Sequence, residues 1–347
     1  MIDFRYHLVS IVAVFLALAI GLVVGATALQ GPVVTGLNNT ASQERTKINR
    51  LEAQNASLSN QLALGQSFAR ADSTILVSDL LKGQRVVMVL APGTDSGTVS
   101  GIAAEISQAG GTVTAQIQLT PQFFDTSSAT ENALTSLAQQ LAPPGSGLPS
   151  PASGDQISGQ ELVAQVLAYA LMRKAGSPSQ SASVIQSVLN GLGQQSFLQV
   201  NTGNGGTGLT AQADLAVVVI PATPVAKVSD PFNLALVAVA DQLRKAGQGA
   251  MIAGTQAGSG PGSVIDTVTS GAAGVNLNTV DNADTVLGQI MVVQVLRLSL
   301  DPHNTPAAYG IGSGAVPSPA PSTPPSPSAS PSASSSASPS PKRSVTS

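Results

Sequence analysis

Residues 86–119 read VVMVLAPGTDSGTVSGIAAEISQAGGTVTAQIQL. The opening six residues are apolar throughout and run into Pro92-Gly93, which predicts a strand closed by a turn. Residues 99–108 place Ile102, Ala103 and Ile106 on one helical face, and Gly110-Gly111 ends that helix. Residues 112–119 then make a second strand. A strand, a crossover helix and a second strand form a βαβ unit, with parallel strands and a right-handed connection. The same alternation returns downstream. Residues 215–220 predict a strand stopped by Pro221, 232–245 a helix, 250–253 a strand, 264–269 a short helix and 275–280 a last strand. A final helix over 283–298 buries Val286, Leu287, Ile290, Val293 and Leu296, with Asp281 and Asp284 as its capping carboxylates. Most of these strands are apolar throughout, as in a sheet covered on both faces. The expected fold class is α/β: a doubly wound, Rossmann-like, mostly parallel sheet domain over residues 84–310. The more helical stretch 126–198, with helices at 162–172 and 184–192 and a Pro/Gly/Ser loop at 143–159, reads as an insertion or a helical flank.

Upstream, residues 8–29 read LVSIVAVFLALAIGLVVGATAL and carry no charge. Twenty-two residues of helix reach ~33 Å, enough to cross the hydrocarbon core of a bilayer. Ala13, Ala17, Gly21 and Gly25 recur every fourth residue, a spacing that lets two membrane helices approach closely. The competing reading is a lipid-facing row of small residues without a partner. The flank 1–7 carries Asp3 and Arg5, and no charge follows until Glu44, which favours a cytoplasmic N-terminus and an extracytoplasmic C-terminal domain. A secretory signal cleaved after Ala28 is the alternative, since Ala26-Thr27-Ala28 fits a cleavage site. The apolar run is longer than a usual signal core, so an uncleaved anchor is expected.

Residues 38–66 are polar, free of proline and patterned in sevens. Ala41, Ile48, Asn55 and Leu62 share the a position; Glu44, Leu51, Leu58 and Gly65 share d. A single asparagine at a fixes register and a two-stranded state in parallel coiled coils. Ile48, Leu51, Asn55, Leu58 and Leu62 are therefore expected to form a short homodimer seam, with Lys47 at g facing Glu52 at e of the other chain. A lone amphipathic helix packed on the downstream domain would show the same pattern.

With these residues in view, the opening MIDFRYHLVSIVAVFLALAIGLVVG and the coiled coil after it resemble the actinobacterial MctB family of copper transport proteins. Val280-Asp281-Asn282-Ala283-Asp284-Thr285, running into an apolar helix, is similar to that family's closing segment. The likeness covers residues 1–310 in order. It implies copper as a partner, a role in copper transport or homeostasis, and a place in the outer membrane or envelope. The family often ends on a Gly-His-Tyr-Gly-like motif, where this chain has Ala307-Ala308-Tyr309-Gly310.

The residues themselves offer little chemistry. Charged residues are 10% of the chain and the net charge is −3, so no nucleic-acid face is expected. There is no cysteine, and histidine occurs only at His7 and His303. Soft Cu(I) sites use cysteine or clustered methionine, and Cu(II) sites lean on imidazole. Met88, Met172, Met251 and Met291 fall in apolar strands and helices and read as core; His7 reads as an interfacial anchor. Two strand-to-helix loops, 91–97 and 254–263, could receive a phosphate, the second through Gly254, Gly258, Gly260 and Gly262. Neither has the glycine fingerprint of a dinucleotide site or a Walker loop, so no cofactor site is assigned. Asp281 and Asp284 as a paired-carboxylate centre is the weaker alternative to capping. No catalytic, cofactor or metal residue is expected, and the protein reads as non-enzymatic. The alternatives to copper handling are a membrane-tethered scaffold that binds partners, and an anchored α/β enzyme or nucleotide binder. From Ser313 the chain is rich in Pro, Ser and Ala, with Lys342 and Arg343 near its end, and 313–347 is expected to be a disordered tail.

Overall fold

The computed structural model of the chain describes residues 4–143, 145–148, 157–201, 211–222 and 230–319. The tail beyond 319 and much of the 143–159 loop thus lie outside the described residues. The chain divides into two compact units, Met1–Phe68 and Ala69–Ser347.

The first unit is helical. α1 (Phe4–Val77) is one α-helix of 74 residues, and residues 30–37, between the two expected helical segments, continue it. Its stretch Tyr6–Ala26 is long and apolar enough to cross a membrane. Ile11, Phe15, Leu18 and Leu22 each leave more than half of their surface uncovered. A helix apolar on every side has no aqueous face, which is the make-up of a lipid-facing span.

The second unit is built on a seven-stranded sheet of the described residues. The strands are β1 (Arg85–Leu90), β2 (Thr112–Leu119), β3 (Leu198–Asn201), β4 (Leu215–Val219), β5 (Gly249–Ala253), β6 (Asn278–Val280) and β7 (Ala308–Tyr309). Their order is β3-β2-β1-β4-β5-β6-β7. Every neighbouring pair is parallel except β2 with β3. The helices are α2 (Ser96–Gln108), α3 (Ser128–Leu141), α4 (Gly159–Leu171), α5 (Ala182–Gln194), α6 (Pro231–Ala246), α7 (Val264–Thr269) and α8 (Val286–Leu298).

Alternate strand residues point to opposite faces, and each face has its own core. Val87 and Val89 join Leu134, Leu167, Ile185 and Leu236 from α3 to α6. Val86, Met88 and Leu90 join Ile102 and Ile106 of α2, Ile290 and Val293 of α8, and Ala69 and Val77 of α1. This is why the central strands are apolar at every position. Each fully buried Leu, Ile or Val contributes roughly 1.5–3 kcal/mol of transfer free energy.

Three features differ from expectation. Residues 198–201, at and just beyond the end of the stretch expected to be helical, form the antiparallel edge strand β3. The last helix starts at Val286 rather than 283, and its N-cap is Thr285, whose side chain accepts from the Gly288 amide at 3.1 Å. Asp281 therefore caps no helix: its carboxylate accepts from the amides of Ile311 at 2.9 Å and Gly312 at 2.8 Å. Those bonds explain the third difference. After β7 pairs with β6, the chain stays on the sheet past residue 310, where Val316 bridges Tyr309.

Because the sheet is mostly parallel, α2, α3, α4, α6, α7 and α8 all begin at the carboxyl edge of the strands. Their first turns and caps collect carboxylates there: Asp95, Glu131, Glu161, Asp230 and Asp266. Basic residues close helices at the opposite edge, Arg244 and Lys245 on α6 and Arg297 on α8. Each sign sits at the helix end whose dipole it complements. Lys82, Arg85, Arg173 and Lys174 also lie toward the amino edge, and no described lysine or arginine lies at the carboxyl edge.

Candidate functional site

The expected interaction residues lie along α1. In the single chain Ala13, Ala17 and Gly21 are exposed and Gly25 is half-buried. A Cβ built on Gly21 or Gly25 would meet nothing within 4 Å. Farther along, Ile48, Leu51, Leu58 and Leu62 are 50%, 62%, 57% and 66% exposed, and Asn55 is exposed beside them. Lys47 pairs within its own helix, with Glu44 at 2.8 Å.

The loop after β1 is used up by its own folding. The Asp95 carboxylate accepts from the Thr98 amide at 2.7 Å and from its hydroxyl at 3.1 Å, bonds that hold this acid below the usual carboxylate range. Thr94 donates its hydroxyl to the Ala91 carbonyl at 2.7 Å, and Gly93 turns the chain at φ +80°. The loop therefore serves strand-to-helix geometry.

The second loop borders a cleft of about 770 Å³ at the carboxyl ends of β5 and β6. Its lining includes Gln256, Ser259, Gly260 and Asp266, Asn276 and Leu277 ahead of β6, and residues 306–308 and 312–315. Here too the loop's polar groups are spent internally. Asp266 accepts from the Gly262 amide at 2.8 Å, and Ser263 caps α7 by accepting from the Asp266 amide at 3.0 Å. Asp281 also lines the cleft and holds the segment at Ile311 and Gly312. A Cβ on Gly310 or Gly312 would run into the Asp281 carboxylate, so the close approach requires glycine at both positions.

At the amino edge, sequence reading misses a buried ionic knot. Asp214, 3% exposed, accepts from Arg85 Nε at 3.2 Å, Arg173 Nη2 at 3.1 Å and Gln248 at 3.3 Å. Burial pushes its carboxyl up, and the bonds from Arg85 and Arg173 together outweigh that and hold it below the usual range. Arg85 and Asp214 are 129 residues apart, so no local pattern announces the pair.

The donors suited to copper are placed otherwise. Met88 and Met251 are fully buried, and Met172 and Met291 are 3% and 7% exposed. All four pack in the two cores. His7 and His303 are exposed. Among the described residues no three His, Cys, Asp or Glu side chains group as metal ligands.

One apolar N-terminal helix ahead of an α/β sheet domain fits the class of membrane-anchored proteins. The chain belongs to the family described as "Copper transport outer membrane protein, MctB", which matches residues 1–319. It is 26% identical over 325 residues to proteins named "Copper transporter MctB" from Mycobacterium tuberculosis and Mycobacterium bovis, and 28% identical over 319 residues to that of Mycobacterium leprae. Each alignment covers 91% of this chain and 98% of the relative.

Proposed function

We propose that the chain serves copper transport or homeostasis from the cell envelope. The observation that carries this is the family match over residues 1–319, with relatives aligned over nearly their whole length. In this reading α1 anchors the protein in a membrane by one pass, and the α/β domain stands outside the cytoplasm. Two copies pair in parallel through Ala13, Ala17, Gly21 and Gly25 and through the seam Ile48, Leu51, Asn55, Leu58 and Leu62. Exposure of both rows in the single chain supports that arrangement. The parallel strands β2-β1-β4-β5-β6, with helices packed on both faces, support a doubly wound, Rossmann-like reading of the domain. We read the protein as non-enzymatic and without a nucleic-acid partner. The test is total cellular copper under copper load in cells lacking the protein, with and without a restored copy. Copper that rises in the deletion and falls on restoration supports the proposal; unchanged copper overturns it.

A second reading, a tethered scaffold that binds partners and moves no ion, is favoured by the methionines. All four described ones are core residues, so among the described residues no thioether is free for Cu(I). Metal analysis of the purified full chain in detergent, equilibrated with Cu(I), separates the two. Stoichiometric copper favours direct handling; its absence beside a copper phenotype in cells favours action through partners.

A further inference from the structure

At the amino edge of the sheet, beside the ends of α4 and α6, an open cavity of about 410 Å³ is lined by Tyr169, Arg173, Lys174, Ser177, Gln180 and Lys245, among others. Its lining includes three cations and no carboxylate. The acids beneath are shared. Asp214 pairs with both Arg85 and Arg173, and Asp241 with both Arg244 at 2.6 Å and Lys245 at 2.7 Å. With Lys174, five cations stand against two carboxylates, which leaves three positive charges over.

Dipole compensation accounts for only part of that excess. Two helix C-termini bring about half a negative charge each, which offsets about one. The last carbonyls of α4 do not need the cations either. Gln212, 1% exposed, donates to the carbonyls of Tyr169 at 3.0 Å and Met172 at 2.7 Å, while its own oxygen accepts from the Gln180 amide at 2.8 Å. Arg173, which lines the cavity, also keeps a buried Nε with no hydrogen-bond partner.

We propose that this cavity is a binding site for a phosphate-bearing ligand. Arg173, anchored on Asp214 through Nη2, adds a delocalised positive charge, Lys245 a second charge shared with Asp241, Lys174 a mobile point charge and Ser177 a hydroxyl. The volume exceeds that of a bare phosphate and leaves room for a substituent. The ligand's source is either a soluble phosphate compound or the headgroup of an anionic lipid.

The test is calorimetric titration of the full chain with inorganic phosphate at low salt, in uncharged detergent. The wild type is expected to bind one phosphate per chain. Lys174→Glu is expected to weaken binding at least tenfold, while Lys82→Glu, on an exposed lysine outside the cavity lining, leaves it unchanged. Unfolding temperatures of both variants without phosphate check that neither is misfolded. A parallel titration in nanodiscs of phosphatidylglycerol or of phosphatidylcholine distinguishes the sources. Phosphate binding lost only in phosphatidylglycerol points to a lipid headgroup already in place, and equal binding in both points to a soluble ligand. Equal weakening by Lys174→Glu and Lys82→Glu, or no binding by the wild type in detergent, overturns the site.

Discussion

Asp214 and Glu105 are buried acids held in opposite ways, and they should answer pH with opposite signs. The folded state keeps Asp214 ionised below its unfolded value of ~3.9, so its contribution is full above that pH and is lost as pH falls through the lower folded value. Asp214→Asn strands Arg85 and Arg173 and is expected to cost about 3 kcal/mol at pH 7, less than a fully buried pair because both arginines keep some solvent. Urea unfolding from pH 7 to pH 3 checks it: the variant should lose much of the acid-dependent part of the wild-type curve. Glu105 is 7% exposed and one carboxylate oxygen has no partner. Burial raises its pKa and the nearby Arg70 only partly opposes that. Its ionisation therefore costs stability as pH rises from its unfolded value of ~4.3 through the raised folded value. Glu105→Gln should be more stable than wild type at pH 7, by up to about 1 kcal/mol. That advantage should vanish in the same unfolding series below pH ~4.

At the scale of elements, what the sequence reveals depends on run length. β1 and α2 are legible because six consecutive apolar residues and a periodic stripe each lie within one window. β3 and β7 are not, since four and two residues carry too little pattern to outweigh their surroundings. The Asp281 assignment fails for a related reason. A carboxylate just before a helix has the spacing of a cap, and its true partners, the amides of Ile311 and Gly312, lie about thirty residues on. Gly310→Ala tests that latch. Gly310 sits at φ +134°, where a side chain is strained and would collide with Asp281. The variant is expected to cost about 2 kcal/mol, with faster hydrogen exchange at Ile311 and Gly312 and little change in β1 or β4. The heptad seam is legible too, but whether it is occupied depends on a second chain. Asn55→Ile, which makes that a position apolar, is expected to raise or alter oligomer order in sedimentation of the full chain. Monomers before and after would sink the coiled-coil proposal.

For the whole molecule, two small totals conceal strong local contrasts. A net charge of −3 with 10% charged residues looks bland. The parallel sheet nevertheless sorts the helix-terminal charges, first-turn acids at one edge and last-turn bases, with Asp214 and Asp241 beneath them, at the other. Neither the basic cavity nor the ionic knot is legible from the chain in order, because Arg85, Arg173, Asp214 and Lys245 come from four separate segments. The fold brings them together only once the strand order is set, and strand order is not a local property. The sorting also makes each domain behave like a small bar magnet. Two copies whose basic edges meet would repel, a repulsion felt over ~8 Å at physiological salt. Under the proposed pairing, the grip of one copy on the other would rest on the helix rather than on those edges.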